Sequence, residues 1–359
     1  MGFYFGIFAL LALLSVIEIF GLKRNESLFI FLCISFVFFA LSFLRWETGT
    51  DWDAYYSFFE NSYDIANTDF EWGFSMLNHI INQWFGNYTV LLFVSGGILY
   101  FFLIKGIYRL SVFPIMSLFF LWSISFGFTL FVRQTIAISI LLYSLRYIID
   151  RDFVRFLICL LLAMMFHTTS IIFILAWWLY KLNIKTGWMI FIVLLSMALT
   201  PIFKTIFESS LGMLGGMVQK KLDGYLSGGS DDMAGLEVSL TEIMIKGALS
   251  KGLLLTVLLF FRKKISAKIE YFDGLLNIYW FGIIIYFSLI GISVVLVRFS
   301  YAFDLVQIIL VPMIFKFIDN KYIRFISVFI FCLYLATRLY SAVNAYYDFY
   351  VPYKTVLFN

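Results

Sequence analysis

Charged residues are scarce in this sequence. Only 13% of its 359 residues are Asp, Glu, Lys or Arg, whereas 62% are hydrophobic. A soluble domain is about 45–50% apolar and about 25% charged, so the composition excludes an ordinary soluble fold. Several apolar runs exceed the ~18 residues that indicate a membrane span, and they lack the alternation of barrel strands. The sequence therefore predicts an all-α, polytopic membrane protein.

Cysteines are few, and the familiar nucleotide and metal motifs are missing. The three cysteines, Cys33, Cys159 and Cys332, all lie inside apolar runs, which is typical of small buried or lipid-facing residues and not of a disulfide framework. We find no Walker loop, dinucleotide-binding glycine signature, zinc-ligand spacing or Gly-x-Ser-x-Gly elbow. ATP-driven transport and hydride transfer therefore have no support. We expect no metal, no cofactor and no nucleic-acid partner, and a reaction that uses an already activated donor.

About twelve spans account for the apolar runs if each takes ~20 residues. The first residues lack a basic leader and a small-residue cleavage site, so we expect a retained first span. Together the spans would form a single transmembrane domain over residues 1–359. The predicted spans are approximately 3–20, 27–44, 89–104, 112–130, 132–149, 153–167, 169–181, 187–203, 241–261, 275–297, 301–318 and 322–340.

Lysine and arginine residues predict the orientation. The short loops rich in these residues all fall on one side in this count, and positive loops face the cytoplasm. Two long loops, at 45–88 and 204–240, then face outside together with both chain ends. The first is acidic and aromatic, and we expect a short amphipathic helix over 78–85. The second is rich in glycine, which suits either a lid over a site or a plain connector.

The stretch from Arg45 to Tyr56 opens the first long polar segment. It combines a cation, carboxylates, a glycine turn and aromatic side chains, which suits a charged, sugar-like ligand. A base for sugar chemistry is a carboxylate or histidine held against a hydroxyl. The aromatic side chains either stack on sugar faces or belong to the interfacial belt of a membrane protein. The candidate bases are Glu47, Asp51, Glu71 and His167, and the aromatic candidates include Trp52 and Tyr55.

Four basic side chains lie at or near membrane depth, where a charge costs roughly 2.5–3.5 kcal/mol on insertion scales. In the predicted topology all four lie near the outer surface. Guanidinium groups offer paired donors to phosphate and keep their charge, so several at one depth suit a pyrophosphate carried by a lipid. The alternatives are arginines that extend to the headgroups and a hydrogen-bonded core histidine. The four residues are Arg45, Arg133, His167 and Arg298.

Several motifs resemble those of one known family. Taken in order over nearly the whole chain, they resemble the EpsG/Wzy-type polysaccharide polymerases. The motifs are Arg45-x-x-x-Gly49-Thr50-Asp51-x-x-x-Tyr55, Glu71-x-Gly73-Phe74-x-x-Leu77-Asn78, Phe131-x-Arg133-Gln134-x-Ile136-Ala137, Phe166-His167-x-x-Ser170, Arg298-Phe299-x-Tyr301 and Pro352-Tyr353-Lys354.

This resemblance implies a bacterial inner-membrane enzyme with a helical bundle similar to that of the C-type glycosyltransferases. It implies that repeat units carried on undecaprenyl pyrophosphate are joined at the periplasmic or outer face, in O-antigen, capsule or exopolysaccharide assembly. The lipid bilayer and a chain-length regulator are the further candidate partners. The residues implied are Arg45, Arg133 and Arg298 for the pyrophosphates and Asp51 or His167 for the acceptor. Our candidates for contact with the sugars are Trp52, Tyr55 and Tyr301.

Three other functions stay open from the residues alone. A ligase that moves finished glycan to another acceptor would use the same arginines and histidine. A membrane acyltransferase would use His167 as a base, but that residue would then have to be reachable by a thioester, usually from the cytoplasm. A flippase would bind phosphate in transit without chemistry. Longer products from purified protein and lipid-linked repeats would distinguish an enzyme from a carrier.

Overall fold

In a computed structural model of the protein, residues 1–61, 70–211, 240–293 and 295–358 are described. These residues form helices and connecting turns, and their one β-bridge is an isolated pair between Arg45 and Thr355. The predicted all-α class is therefore confirmed for the described part of the chain. The chain divides into two compact units, Met1–Ile171 with Ile308–Asn359, and Ile172–Gln307.

The helices follow one another along the chain with short connections. The α-helices up to residue 211 are α1 Gly2–Phe20, α2 Arg24–Leu44, α3 Trp52–Glu60, α4 Trp72–Phe85, α5 Tyr88–Leu110, α6 Pro114–Ser125, α7 Arg133–Ile149, α8 Phe153–Met164, α9 Ala176–Leu179 and α10 Thr186–Leu211. The later ones are α11 Leu240–Gly247, α12 Leu253–Ser266, α13 Phe272–Ile290, α14 Tyr301–Asp304, α15 Gln307–Lys316, α16 Lys321–Ala345 and α17 Tyr347–Tyr350. The 3₁₀ helices are Phe126–Phe128, Thr168–Leu175 and Val295–Ser300, and Ala248–Gly252 is a π-helical turn.

Side-chain caps explain where several helices begin. The Asn87 side chain accepts a hydrogen bond from the backbone N–H of Thr89, and Asp152 accepts one from that of Arg155. Asn320 caps α16 in the same way. Each cap satisfies a first-turn N–H that has no partner inside the helix. Pro114, at the start of α6, has no N–H to satisfy.

Among the described residues, eight helical segments, two of which combine consecutive helices, are long and apolar enough to cross a membrane. They are Gly2–Phe20, Arg24–Leu44, Tyr88–Leu110, Thr186–Phe203, Leu240–Ser266, Phe272–Ile290, Leu296–Lys316 and Lys321–Ala345. Three shorter apolar helices, Pro114–Phe128, Phe153–Met164 and Thr168–Leu179, overlap other predicted spans. The protein is thus a multi-pass helical membrane protein, whereas the count of twelve spans stays a prediction. The same holds for the single transmembrane domain over 1–359.

The predicted first external loop, 45–88, contains two helices. α3 begins directly after Asp51, and α4 runs from Trp72 to Phe85. The short amphipathic helix expected over 78–85 is the second half of α4, because the helix already begins at Trp72. In the predicted second loop, 204–240, α10 continues to Leu211. Residues 212–239, which carry most of the predicted lid or connector, lie outside the described residues.

The first unit has two chemically different ends. At one end Arg24 Nη1 donates to the Ser111 carbonyl at 3.0 Å, and Arg109 pairs with Asp150 at 2.8 Å. α2 leads from Arg24 to the opposite end, where Arg45 follows its last residue. At that second end the segments around Arg45, Leu130 and Lys354 contact one another. The candidate site lies there.

Candidate active site

Glu71 is the centre of a polar cluster in the first unit. Its Oε2 accepts a hydrogen bond from Arg133 Nη1 at 2.7 Å. Its Oε1 lies 3.2 Å from His167 Nδ1 and accepts a hydrogen bond from the Thr168 backbone N–H at 3.2 Å. The side chains of Arg133, His167 and Glu71 are 21%, 14% and 12% exposed. The cluster is therefore largely shielded from water but not closed off.

Three chain segments bring these side chains together. Glu71 immediately precedes α4, Arg133 is the first residue of α7, and His167 follows the end of α8. The Gly73 backbone N–H donates to the Met165 carbonyl at 2.9 Å. A Cβ at Gly73 would lie 2.7 Å from both the Met165 Cβ and its carbonyl oxygen. Glycine at this position therefore permits the close approach that places Glu71 beside His167.

The surroundings of Glu71 keep its carboxylate charged. Burial by itself raises the pKa of a carboxyl group. At Glu71 the nearby His167 side chain, the charge of Arg133 and the N–H of Thr168 outweigh burial and lower the pKa to about 2. A carboxylate with so low a pKa is a poor proton acceptor near neutral pH. Glu71 therefore acts as a partner that orients and neutralises its neighbours.

The two ring nitrogens of His167 have different surroundings: Nδ1 faces the Glu71 carboxylate, and Nε2 does not. Nδ1 lies 3.2 Å from Glu71 Oε1 but is not aligned as a hydrogen bond, and the buried Nε2 has no hydrogen-bond partner among the described residues. A proton on Nδ1, facing the Glu71 carboxylate, leaves a lone pair on Nε2. The 3.2 Å approach places the imidazole beside a carboxylate that can orient it once the hydrogen bond closes.

Arg133 links the cluster to Tyr55 and Asp51. Arg133 Nε donates to the Tyr55 hydroxyl at 3.1 Å, and that hydroxyl lies 3.5 Å from Asp51 Oδ2. Burial raises the pKa of the Tyr55 phenol, although the charge of Arg133 acts against it. The phenol therefore stays protonated. The guanidinium also lies 4.3 Å from the centre of the Phe70 ring, a favourable cation–π distance.

Arg45 lies in the same end of the unit but is almost completely enclosed, with 1% of its surface exposed. Its Nη1 donates to the Thr48 carbonyl at 2.9 Å and to the Leu130 carbonyl at 2.7 Å. Gly49 has a φ of +120°, and a Cβ there would lie 2.9 Å from that same nitrogen. Arg45 thus fastens the predicted site loop to the chain just before α7. Its predicted contact with a pyrophosphate stays a prediction.

The chain's C-terminal segment pairs with the stretch around Glu47. The Trp46 N–H donates to the Lys354 carbonyl at 3.0 Å, and the Lys354 N–H donates to Thr48 Oγ1 at 3.1 Å. Lys354 Nζ lies 2.8 Å from Glu47 Oε2 in an exposed pair, and its hydrogen bond lowers the pKa of Glu47. Sequence reasoning placed this tail outside without a partner. The signal available was the Pro352-Tyr353-Lys354 motif.

Two predicted sugar contacts, Trp52 and Tyr55, are buried. Trp52 is 5% and Tyr55 is 6% exposed. The Trp52 ring packs edge-on against Tyr88 at 4.9 Å between ring centroids. Asp51 is exposed beside them. The predicted role of each of these residues toward sugar stays a prediction.

Arg298 and Tyr301 belong to the second unit. Arg298 lies on the 3₁₀ helix Val295–Ser300 and is exposed. It makes no hydrogen bond or ion pair with another residue of the described chain. Tyr301 is 40% exposed. Within its own unit, this segment thus offers an uncommitted guanidinium next to an accessible aromatic ring.

The fold and this cluster define a multi-pass helical membrane protein with a histidine–carboxylate–arginine site. Within the described ranges, no group of three or more His, Cys, Asp or Glu side chains is placed to hold a metal ion. A family model described as the EpsG family matches residues 28–355. The chain therefore belongs to the EpsG family, a family of Wzy-type polymerases. This membership supports a polysaccharide polymerase in general terms.

Neither a search of curated proteins nor a search of solved structures found a match. The predicted likeness to the bundle of C-type glycosyltransferases therefore stays a prediction.

Proposed function

We propose that this protein polymerises oligosaccharide repeat units carried on undecaprenyl pyrophosphate. In each step the growing glycan passes from its lipid pyrophosphate to a sugar hydroxyl of the next lipid-linked unit. Membership of the EpsG family supports the polymerase function. The observation that carries the mechanism is the Glu71 carboxylate, which lies within hydrogen-bond distance of both Arg133 and His167.

His167 is the base in this proposal. Its Nε2 takes the proton of the acceptor hydroxyl while the hydroxyl oxygen attacks the anomeric carbon of the donor sugar. The bond from that carbon to the pyrophosphate oxygen breaks, and its electron pair leaves with the pyrophosphate. Glu71 holds the imidazole through Nδ1 and stabilises the positive charge that the ring gains. No covalent enzyme intermediate and no cofactor is required.

Arg133 stabilises the departing pyrophosphate. Nη2 of Arg133 has no hydrogen bond to a residue that the structure describes, because Nη1 and Nε serve Glu71 and Tyr55. Within the second unit, Arg298 is the candidate for a lipid pyrophosphate, because its guanidinium has no hydrogen bond or ion pair to a described residue. Donors aimed at charge that develops in the transition state are usually the largest catalytic contribution. Two lipid pyrophosphates take part in each step, one on the donor and one on the acceptor.

We also propose that the site faces the periplasm from the inner membrane. Support comes from the first unit, in which Arg24 and Arg109 lie at the end opposite to Arg133 and His167. Positive residues favour the cytoplasmic side. A cysteine placed at exposed Asp53 should react with a membrane-impermeant reagent added to intact spheroplasts. Labelling only after lysis would contradict this orientation.

The decisive test uses purified protein with lipid-linked repeat units, and product length is measured. Wild-type protein should yield products of several repeats. His167→Ala should lower the rate by about 10²–10⁴, and Arg133→Ala by about 10²–10³. Asp53→Asn is the matched control, because this exposed carboxylate lies near the site without a described hydrogen bond. It should leave the rate unchanged.

Three other results would refute the proposal. Transport of the lipid-linked unit without a new glycosidic bond would indicate a flippase. Transfer of glycan to a different acceptor, with no lengthening, would indicate a ligase. Full activity of His167→Ala would show that His167 is not the base, without bearing on the role of Arg133.

A further inference from the structure

The second unit contains a buried ion pair between Lys251 and Asp304. Lys251 Nζ contacts Asp304 Oδ2, and the two side chains are only 14% and 9% exposed. Both residues lie in apolar segments long enough to cross a membrane, Leu240–Ser266 and Leu296–Lys316. A charge at such a position is costly, and it is a functional hypothesis by default. A pair of this kind is also weak evidence for stability alone, since apolar substitutes often do as well.

The backbone is irregular at both partners. Lys251 lies in the π-helical turn Ala248–Gly252, which interrupts the helix between α11 and α12. Asp304 is the last residue of the short helix α14, which follows directly on a 3₁₀ helix. Single π-helical turns inside α-helices occur frequently at functional sites. Both Lys251 and Asp304 therefore lie where the regular α-helical hydrogen bonding is interrupted.

The segment Val295–Asp304 has one buried and one exposed side. Ser300 and Asp304, four residues apart, are 0% and 6% exposed, and Ser300 Oγ donates to Asp304 Oδ2 at 2.7 Å. Arg298 and Tyr301 on the same segment are exposed. The buried carboxylate therefore fastens this segment on its buried side, while Arg298 and Tyr301 stay exposed.

Asp304 makes its polar contacts through one oxygen. Its Oδ1 is buried without a hydrogen-bond partner among the described residues. A Cβ at Gly282 would lie 3.1 Å from this oxygen and 2.7 Å from the Phe303 Cβ. Glycine on α13 thus leaves room for the carboxylate. Since Lys251 and Ser300 share Oδ2, loss of the Asp304 charge weakens the whole attachment.

We infer that Lys251, Asp304 and Ser300 are positioning residues that hold the segment Val295–Asp304 so that Arg298 is presented to a lipid-linked pyrophosphate. The ligand part of this inference rests on the proposed function. The positioning part rests on the geometry of the second unit alone. Asp304 acts through Arg298 and does not itself touch the substrate.

Two measurements on the purified full-length protein separate the two parts. Hydrogen exchange reports the order of the segment, and binding of undecaprenyl pyrophosphate in detergent reports the role of Arg298. Asp304→Asn should raise amide exchange over 295–304 by about tenfold and weaken binding by about tenfold. Arg298→Ala should weaken binding without raising exchange. In the double variant, binding should be no weaker than in Arg298→Ala, because coupled sites are not additive.

A milder variant and a matched control keep the test decisive. If Asp304→Asn does not fold, Ser300→Ala replaces it. This variant keeps the ion pair between Lys251 and Asp304 and should raise amide exchange over 295–304 by a smaller factor. Lys246 lies on α11, just before the π-helical turn, and its side chain is 64% exposed. Lys246→Met removes this exposed charge and should change neither amide exchange nor binding.

Unchanged exchange in both Asp304→Asn and Ser300→Ala would overturn the positioning role. Raised exchange with normal binding by Arg298→Ala would leave positioning intact and refute the proposed pyrophosphate contact.

Discussion

Glu71 shows how a single residue joins the parts of this site. Its carboxylate lies within hydrogen-bond distance of Arg133, His167 and the backbone of Thr168. These neighbours favour the charged form of Glu71, which burial alone would disfavour. An uncompensated carboxylate in such surroundings would take up a proton. The network therefore fixes the charge of Glu71, and that charge in turn fixes the orientation of the imidazole.

The lowered pKa of Glu71 predicts a pH dependence of stability. The pKa falls from 4.5 to about 2 on folding, so the stabilisation is complete above the unfolded value and is lost as the pH falls toward the folded one. Its size is on the order of 3 kcal/mol. Thermal unfolding of detergent-solubilised protein should therefore show a decline below about pH 5 that is smaller in Glu71→Gln.

The same variant also separates stability from catalysis. Glu71→Gln keeps the shape of the side chain but removes the charge that faces Arg133 and His167. At pH 7 its polymerisation rate should fall by about 10²-fold or more, because the imidazolium loses its counter-charge. An equal pH decline in wild type and variant, together with an unchanged rate, would contradict the role given to Glu71.

Sequence reasoning finds candidates at this scale but not their partners. Arg133 and His167 stood out as unusual charges and Glu71 as a candidate base, whereas their mutual contact did not stand out. Glu71 and Arg133 are 62 residues apart in the chain, and only tertiary packing brings them together. Lys251 and Asp304 were missed, although a lone charge in an apolar run was the available signal.

At the scale of helices, Gly73 controls how closely α4 approaches the end of α8. Gly73→Ala introduces a methyl group 2.7 Å from Met165 atoms, so the two segments must separate and Glu71 moves away from His167. We expect a loss of activity of about tenfold or more and a destabilisation of about 1–3 kcal/mol, typical of overpacking. Product length and thermal unfolding measure the two effects.

Gly97 on α5 provides the control. A Cβ there meets no atom within 4 Å, so Gly97→Ala should be neutral or slightly stabilising through helix propensity. If both substitutions had the same effect, the close approach at Gly73 would have no special importance.

Glu18 of α1 caps the N-terminus of α6, at the end of the first unit opposite to the candidate site. Its two oxygens accept hydrogen bonds from the backbone N–H groups of Ile115 and Met116 at 3.0 and 2.9 Å, in the first turn of α6. Ser27 donates to it as well. Glu18→Ala would leave these buried donors unsatisfied, which costs about 1–3 kcal/mol each. Thermal unfolding should show this loss, whereas the polymerisation rate of the folded fraction should stay normal.

Glu26→Ala is a suitable comparison, because Glu26 accepts only an exposed hydrogen bond from the Lys23 N–H. Its loss should cost about 0.5–1 kcal/mol, the usual value for a helix cap. A larger loss in Glu26→Ala than in Glu18→Ala would contradict the capping role of Glu18.

Helix type could be predicted from the apolar runs, but helix ends could not. The predicted span 112–130 ends as an α-helix at Ser125, because Phe126 and Gly127 adopt positive φ values of 52° and 62°. A Cβ at Gly127 would lie 2.6 Å from the Phe38 ring, so this turn depends on a tertiary contact. Local composition contains no sign of it. The predicted count of spans depends on helix ends of this kind, which local composition does not reveal.

At the scale of the whole chain, the first unit is closed by its two ends. The Tyr4 hydroxyl donates to the Tyr350 carbonyl at 2.7 Å, and the Tyr353 hydroxyl donates to the Leu41 carbonyl at 2.6 Å. The match to the EpsG family extends to residue 355 and so includes this tail. Neither contact has a local sequence pattern, since more than 300 residues separate the partners.

Deletion of residues 347–359 tests whether the tail organises the site. The tail supplies backbone partners to Trp46 and Gly49, and Thr48 accepts from its Lys354 N–H. Each such hydrogen bond contributes about 0.5–1.5 kcal/mol, so the apparent melting temperature should fall by about 5–10 °C. The rate should fall too, because Arg45 holds Thr48 and Leu130 together beside Arg133.

Deletion of residues 357–359 is the matched control, since Leu357 and Phe358 are 64% and 89% exposed. This shorter deletion keeps the pairing of Lys354 with Trp46 and should leave melting and rate unchanged. Equal losses in both deletions would mean that the exposed end matters more than the pairing. Normal activity after the longer deletion would show that the loop beginning at Arg45 holds its shape without the tail, and that Arg45 alone fastens it.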